Sequence, residues 1–128
     1  MLKTLCIWLH LCSSLNGAAH AIDGDTIELM GLHIRLAGID AEELNEPNGL
    51  AAKKQLQHLI NQGITCNLNG EMSYNRNIGT CYDASNVDVA AVMVKTGYAL
   101  DCYHYSGGKY RQYEPSGVRQ RLIQKPYC

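Results

Sequence analysis

Phenylalanine is missing from this chain, and eight tyrosines and one tryptophan carry its aromatic content. Charge is also scarce, at 18% charged residues and a net charge of -1 at pH 7. That balance excludes a protein that coats nucleic acid by bulk electrostatics, since such domains are strongly basic. Any polyanion must therefore be met locally. No internal repeat, low-complexity tract or Pro/Gly/Ser linker occurs, and 46% hydrophobic residues exclude a disordered chain. At 128 residues, the chain is one domain's worth. No CxxC or HxxxH spacing is present and Cys102 with His104 is only a half-site, so a zinc centre is not expected.

No apolar run is long enough to span a bilayer. The N-terminal one, in "MLKTLCIWLHLCSS" from Met1 to Ser14, has about 10 residues, the length of a signal h-region. Residues 1–14 are read as a secretory signal and 15–128 as the domain, which implies a secreted or periplasmic protein without stable membrane association. A buried element of the domain is the alternative, because His10 interrupts the run. "AHA" at Ala19 to Ala21 suits a small-x-small cleavage rule, but cutting there removes the strand leading into "IDGDT", which cutting near Ser14 preserves. Losing Lys3 with the leader takes the net charge from -1 to -2. Cys66, Cys81, Cys102 and Cys128 then remain, an even number that allows three pairings.

The stretch "AIDGDTIELMGLHIRLAGIDAEEL", Ala21 to Leu44, crowds Asp23, Asp25, Arg35, Asp40, Glu42 and Glu43 into one short span. Asp and Gly are ordinary turn formers, so "DGD" alone reads as a tight turn. "TIELM" and "HIRLAGI" alternate apolar and polar residues around Gly31 and predict a hairpin. A turn centred between Gly31 and Leu32 sets Asp25 opposite Gly38, with Asp40 roughly 7 Å further on at about 3.3 Å per residue. Both carboxylates then converge at one end of the hairpin. Ile34 and Leu36 claim the core face, so Arg35 points to the other side.

Asn48 is a plausible N-cap for a helix with Ala52, Leu56, Leu59 and Ile60 on one face and Gly63 as its stop. Strands near Ile64 to Leu68 and Ile78 to Tyr82 follow, joined by "NGEMSYNRN". A second helix over Val87 to Thr96 buries Val87, Ala90, Ala91 and Val94. Pro115 and Gly117 weaken any helix between Tyr113 and Gln124. If the intervening loop is centred near Ser73 and Tyr74, Cys66 faces Cys81 at a spacing that suits a disulfide, and Cys102 pairs with Cys128 by elimination.

"IDGDT", "IRLAGIDAEE", "YNR" and "VKTGYAL", in this order and spacing, resemble the staphylococcal-nuclease (thermonuclease-like) family, whose members share DGDT, RLxGIDAPE, YGR and LVxxGxA patterns. The resemblance covers about Asn16 to Gln124. It implies an α+β, mainly β fold: a five-stranded OB-type β-barrel with about three helices. It also implies a calcium-dependent nuclease that hydrolyses DNA and RNA to leave 3'-phosphates. Carried over by position, Asp25, Asp40 and the Ala41 carbonyl are ligands of Ca2+, Arg35 and Arg76 hold the scissile phosphate, and Glu43 orients or deprotonates the attacking water. Tyr74, Tyr103 and Tyr105 match positions lining the nucleotide pocket. The chemistry of the residues agrees, since a hard cation on oxygen ligands and two guanidinium forks neutralise the charge that develops at a phosphodiester.

Three departures stand out. Glu42 replaces the usual Pro, so restoring Pro there is expected to keep or improve activity; "YNR" replaces YGR, and Asn75 tolerates a positive φ; Met72 and Ser73 offer no charge before Tyr74. The reading is a monomer acting on single-stranded DNA and RNA. The rival is a catalytically weak or inactive OB-fold nucleic-acid-binding module, which has no need of both Asp residues, both Arg residues and Glu43 together.

Overall fold

A computed structural model describes residues 14–128. The leader reading falls on residues 1–13, outside the described residues, apart from Ser14, which opens the first strand. In chain order come β1 (Ser14–Gly17), β2 (Ala19–Asp23), β3 (Thr26–Leu29), β4 (Leu32–Leu36), β5 (Ile39–Asp40) and α1 (Gly49–Ile60). Then follow β6 (Ile64–Ser73), β7 (Arg76–Asp83), α2 (Val89–Lys95), β8 (Leu100–Asp101), α3 (Tyr103–Ser106), a 3-10 turn (Arg111–Tyr113) and α4 (Val118–Arg121). Six strands form one sheet in the order β1-β6-β7-β4-β3-β2, and β5 and β8 make a separate two-stranded ladder. All neighbours in the large sheet are antiparallel except β4 and β7, which run parallel. The break at Ala18 and the β5–β8 ladder account for more strand segments than the five expected.

The core gathers Ile27, Leu29, Ile34, Leu36, Leu56, Ile60, Met93 and Val94, so α1 and α2 cover one face of the sheet. Alternation along β3 and β4 supplies the inner face, as the period-2 pattern requires. The β3–β4 turn is formed by Met30 and Gly31, both at positive φ, the conformation of a two-residue hairpin turn. This sets Thr26 opposite Arg35, two residues from the register that the sequence suggests. Asp25 therefore stands opposite Leu36, whose N–H donates to its carbonyl at 2.8 Å, and not opposite Gly38.

The second hairpin is longer than expected. Its strands close on a two-residue turn in which Tyr74, not Asn75, takes the positive φ of 56°. A register shift between Leu68 and Met72 absorbs the difference, so Cys66 still faces Cys81, and the two form a disulfide. A second disulfide joins Cys102 to Cys128. Helix α2 starts at Val89, later than expected, because the Asp88 carboxylate accepts the N–H groups of Ala90 and Ala91 and caps the helix there. Val87 is consequently exposed and Ala91 only partly buried, and Val89 and Met93 join Ala90 and Val94 in the core.

Candidate active site

Asp25 is placed by a tight turn between β2 and β3. The Asp23 carboxylate accepts the Asp25 N–H at 3.0 Å, the local bond that suits Asp to turns. Gly24 is required there, because a Cβ would lie 2.6 Å from the Cβ atoms of both Ala41 and Ala52. Asp25 is only 3% exposed. Its Oδ2 accepts the Ala41 N–H at 2.9 Å and faces Arg35 Nη1 at 3.4 Å, while Oδ1 accepts the Thr26 hydroxyl at 3.3 Å. Burial, and then the neighbouring Asp25 charge, pushes the Asp23 carboxyl up to about 6.

Arg35 lies on β4 and donates to the Leu36 carbonyl at 3.0 Å. Burial alone would lower its pKa, but Asp25 and a hydrogen bond to Tyr127 outweigh it and raise the guanidinium above its ordinary value. Arg76 opens β7 and is braced by Thr26 Oγ1 at 3.1 Å and Ser73 Oγ at 3.0 Å. Parallel pairing sets Arg35 beside Ile78, which brings the two arginines to one side of the sheet. Both line a cleft of about 700 Å³. Tyr74, 94% exposed, and Tyr105 line it as well, and so does Tyr127. Tyr103 does not line this cleft; its ring packs beside Gly108.

Beyond β5 the chain turns so that Asp40, Ala41, Glu43 and Glu46 surround the ammonium of Lys125. Nζ lies 3.6 Å from Asp40 Oδ1, 3.4 Å from the Ala41 carbonyl, 3.8 Å from Glu43 Oε1 and 3.3 Å from Glu46 Oε1. The Lys125 N–H also donates to Asp40 Oδ2 at 2.9 Å. Burial raises the Asp40 carboxyl above its usual value although Lys125 opposes the shift. For Lys125, burial alone would lower the pKa, but Asp40, Glu46 and Glu43 outweigh it and raise it. Among the described residues, no three carboxylates, imidazoles or thiols are already drawn together into a cation cage. The donor set is nevertheless all hard oxygen, the chemistry that calcium prefers, and it already encloses one cation, the ammonium.

Glu42 does not face this cluster. It is 2% exposed, and its carboxylate accepts the Asn48 N–H at 2.8 Å, Asn48 Nδ2 at 3.0 Å and the Ile123 N–H at 2.8 Å. Burial alone would raise its pKa, but these donors outweigh it and hold it below the usual glutamate range. Asn48 thus spends its side chain on Glu42 and leaves the first turn of α1 without a side-chain cap. Glu43 is half exposed on the opposite side of the loop, and its backbone carbonyl packs so closely on Gly49 that any Cβ there would collide with it. Lys125 and Tyr127 were not singled out from the sequence. Their only local signal is a Cys at the end of a short tail, which ties that tail near Cys102.

Fold and site together define a small α+β barrel that presents acidic groups beside a two-arginine cleft. The chain belongs to the staphylococcal nuclease homologue family, whose model matches residues 33–120, and its fold is the OB-type barrel of that family. It is also similar to the succinoglycan biosynthesis protein ExoI of Rhizobium meliloti (strain 1021), with 32% identity over 97 residues. That match covers 66% of this chain and 51% of the relative, so the chain spans about half the relative's length.

Proposed function

We propose that this protein is a calcium-dependent nuclease that hydrolyses phosphodiester bonds of DNA and RNA, preferring single strands, and leaves 3'-phosphates. The observation that carries this reading is the convergence of Arg35 and Arg76 on one cleft, with Arg35 Nη1 3.4 Å from the buried Asp25 carboxylate. Family membership supports nuclease chemistry, and two disulfides support secretion or a periplasmic site. No helix among the described residues is long and apolar enough to cross a membrane. The protein acts as a monomer in this reading.

Arg35 and Arg76 present guanidinium forks to the phosphate and counter the charge that grows on its oxygens as water's bond to phosphorus forms and the bond to the 5'-oxygen breaks. The 5'-oxygen leaves as a hydroxyl and the phosphate stays on the 3'-oxygen. Asp25 and its hydrogen bonds hold Arg35 at a fixed orientation, so little reorganisation accompanies the reaction. Glu43, half exposed at the mouth of the acidic loop, accepts a proton from the attacking water. Tyr74, Tyr105 and Tyr127 offer ring faces on which unpaired bases stack. Asp25, Asp40 and the Ala41 carbonyl would hold calcium, which when bound supplies Lewis-acid stabilisation of the phosphoryl oxygens.

The test is cleavage of single-stranded DNA and RNA by the oxidised protein, with calcium or with chelator, followed by end-group analysis. Calcium-dependent fragments ending in 3'-phosphate are expected. Tight strand binding without cleavage at any calcium concentration would instead make the chain a binding module.

A further inference from the structure

The acidic loop is occupied by a cation that the protein itself supplies. Lys125 Nζ has four oxygen neighbours, in Asp40, Ala41, Glu43 and Glu46, all between 3.3 and 3.8 Å. None of these contacts is as short as a charge-assisted hydrogen bond to a single partner, about 2.7–2.9 Å. The ammonium is thus shared among its neighbours, as a bound ion would be. Its side chain is only 18% exposed, so the stem is buried and the charge faces the loop.

The tail carrying it is fastened on both sides. Ile123 N–H donates to Glu42, Lys125 N–H donates to Asp40, and three residues beyond Lys125, Cys128 is disulfide-bonded to Cys102 and its carbonyl accepts the His104 N–H at 3.0 Å. A charge tethered at so short a range competes at a high effective concentration. Three carboxylates still face a single ammonium, so the loop keeps an excess of negative charge that attracts a divalent ion.

Resting on the calcium reading above, we propose that Lys125 is a tethered internal cation that a divalent ion must displace, so that the disulfide-fastened tail sets the calcium concentration at which the site fills. This makes Lys125 a residue that determines the metal requirement without touching substrate.

The test is calcium titration by calorimetry, with terbium luminescence as a second probe, on the oxidised wild type, Lys125→Met, Lys125→Arg and Cys102→Ser/Cys128→Ser. Circular dichroism and thermal melts without calcium check that each variant folds. Lys125→Met should bind calcium at least about tenfold more tightly than wild type, given the repulsion between two cations a few ångströms apart. It should also melt lower without calcium and gain more from its addition, because its carboxylates have lost their counter-charge. Lys125→Arg should stay near wild type. Freeing the tail by the double Ser variant should tighten binding in the wild-type background and add nothing to Lys125→Met. Measurable calcium binding that is equal in wild type and Lys125→Met would overturn the proposal and leave the calcium reading standing. No calcium binding in either would overturn the calcium reading, and the proposal with it.

Discussion

The backbone N–H of Ile123 donates to Glu42 Oε2 at 2.8 Å across 81 residues of sequence. The same carboxylate holds Asn48 at the start of α1, so Glu42 fastens loop, helix and tail at one point. Glu42→Ala should therefore lower stability by about 2–4 kcal/mol, because the partly buried N–H groups of Asn48 and Ile123 lose this carboxylate. Glu42→Pro, which the family pattern alone recommends, should destabilise the fold comparably, with no gain in activity. Urea denaturation measures both. A proline variant as stable as wild type would mean that the tail has another anchor.

Glu43 and Glu42 are adjacent but face different partners, Lys125 for the first and the Asn48 and Ile123 N–H groups for the second. Under the reading proposed above, Glu43→Gln keeps the shape and removes the base, so kcat should fall by about 10² to 10⁴ with KM and melting temperature nearly unchanged. Steady-state kinetics on a labelled oligonucleotide, paired with a thermal melt, separates this from a loss of folding. The reverse pattern, with Glu42→Gln stable and inactive while Glu43→Gln cleaves, would mean that the base has been misassigned.

Among the tyrosines, position in the cleft divides Tyr105 from Tyr103. Tyr105→Ala should weaken binding of single-stranded DNA by about 1–3 kcal/mol, the worth of one stacked base, whereas Tyr103→Ala should change it little. Fluorescence anisotropy with a short oligonucleotide in chelator measures binding apart from cleavage. Equal losses for the two variants would place Tyr103 on the strand's path.

A pH-dependent term comes from Glu114. Its carboxylate accepts Arg119 Nε at 2.8 Å, Arg119 Nη2 at 2.7 Å and the Asp101 N–H at 2.9 Å. Burial alone would raise its pKa, but Arg119 and the Asp101 N–H outweigh it and hold it below the ordinary glutamate range. A lowered folded pKa gives stability that is complete above the unfolded value and lost as pH falls through the folded one. The stability difference between wild type and Glu114→Gln should accordingly be largest at neutral pH and shrink below about pH 4. Denaturation midpoints at the two pH values test this; a constant difference would mean that packing, not charge, sets the effect.

What the sequence made legible was local. Alternation found β3 and β4, the apolar face of Ala52, Leu56 and Ile60 found α1, and the spacing around the second hairpin paired Cys66 with Cys81. The misplaced register follows from Met30, a residue that rarely takes positive φ and so gives no sign that the turn begins there. Asn69, Gly70 and Glu71 hide a bulge in the same way, because a turn-forming composition does not show how many residues leave the ladder. Family pattern brought Asp25, Asp40, Arg35 and Arg76 forward as a set. Glu42 and Lys125 stayed obscure because their partners lie about eighty residues away, and no periodicity reports a contact of that range.

The parallel pairing of β4 with β7 has a consequence for the order of assembly. Parallel neighbours cannot be joined by a tight turn, and here α1 and β6 must be traversed before Arg35 and Arg76 share a cleft. The acidic loop closes over a longer span still, since Lys125 and Asp40 are 85 residues apart. Closing such long loops is entropically costly and slow, so a partly unfolded chain keeps Arg76 away from Arg35 and Lys125 away from the acidic loop. Such a chain has no assembled two-arginine cleft until β4 and β7 have paired, so under the nuclease reading proposed above a partly folded chain does not cleave nucleic acid.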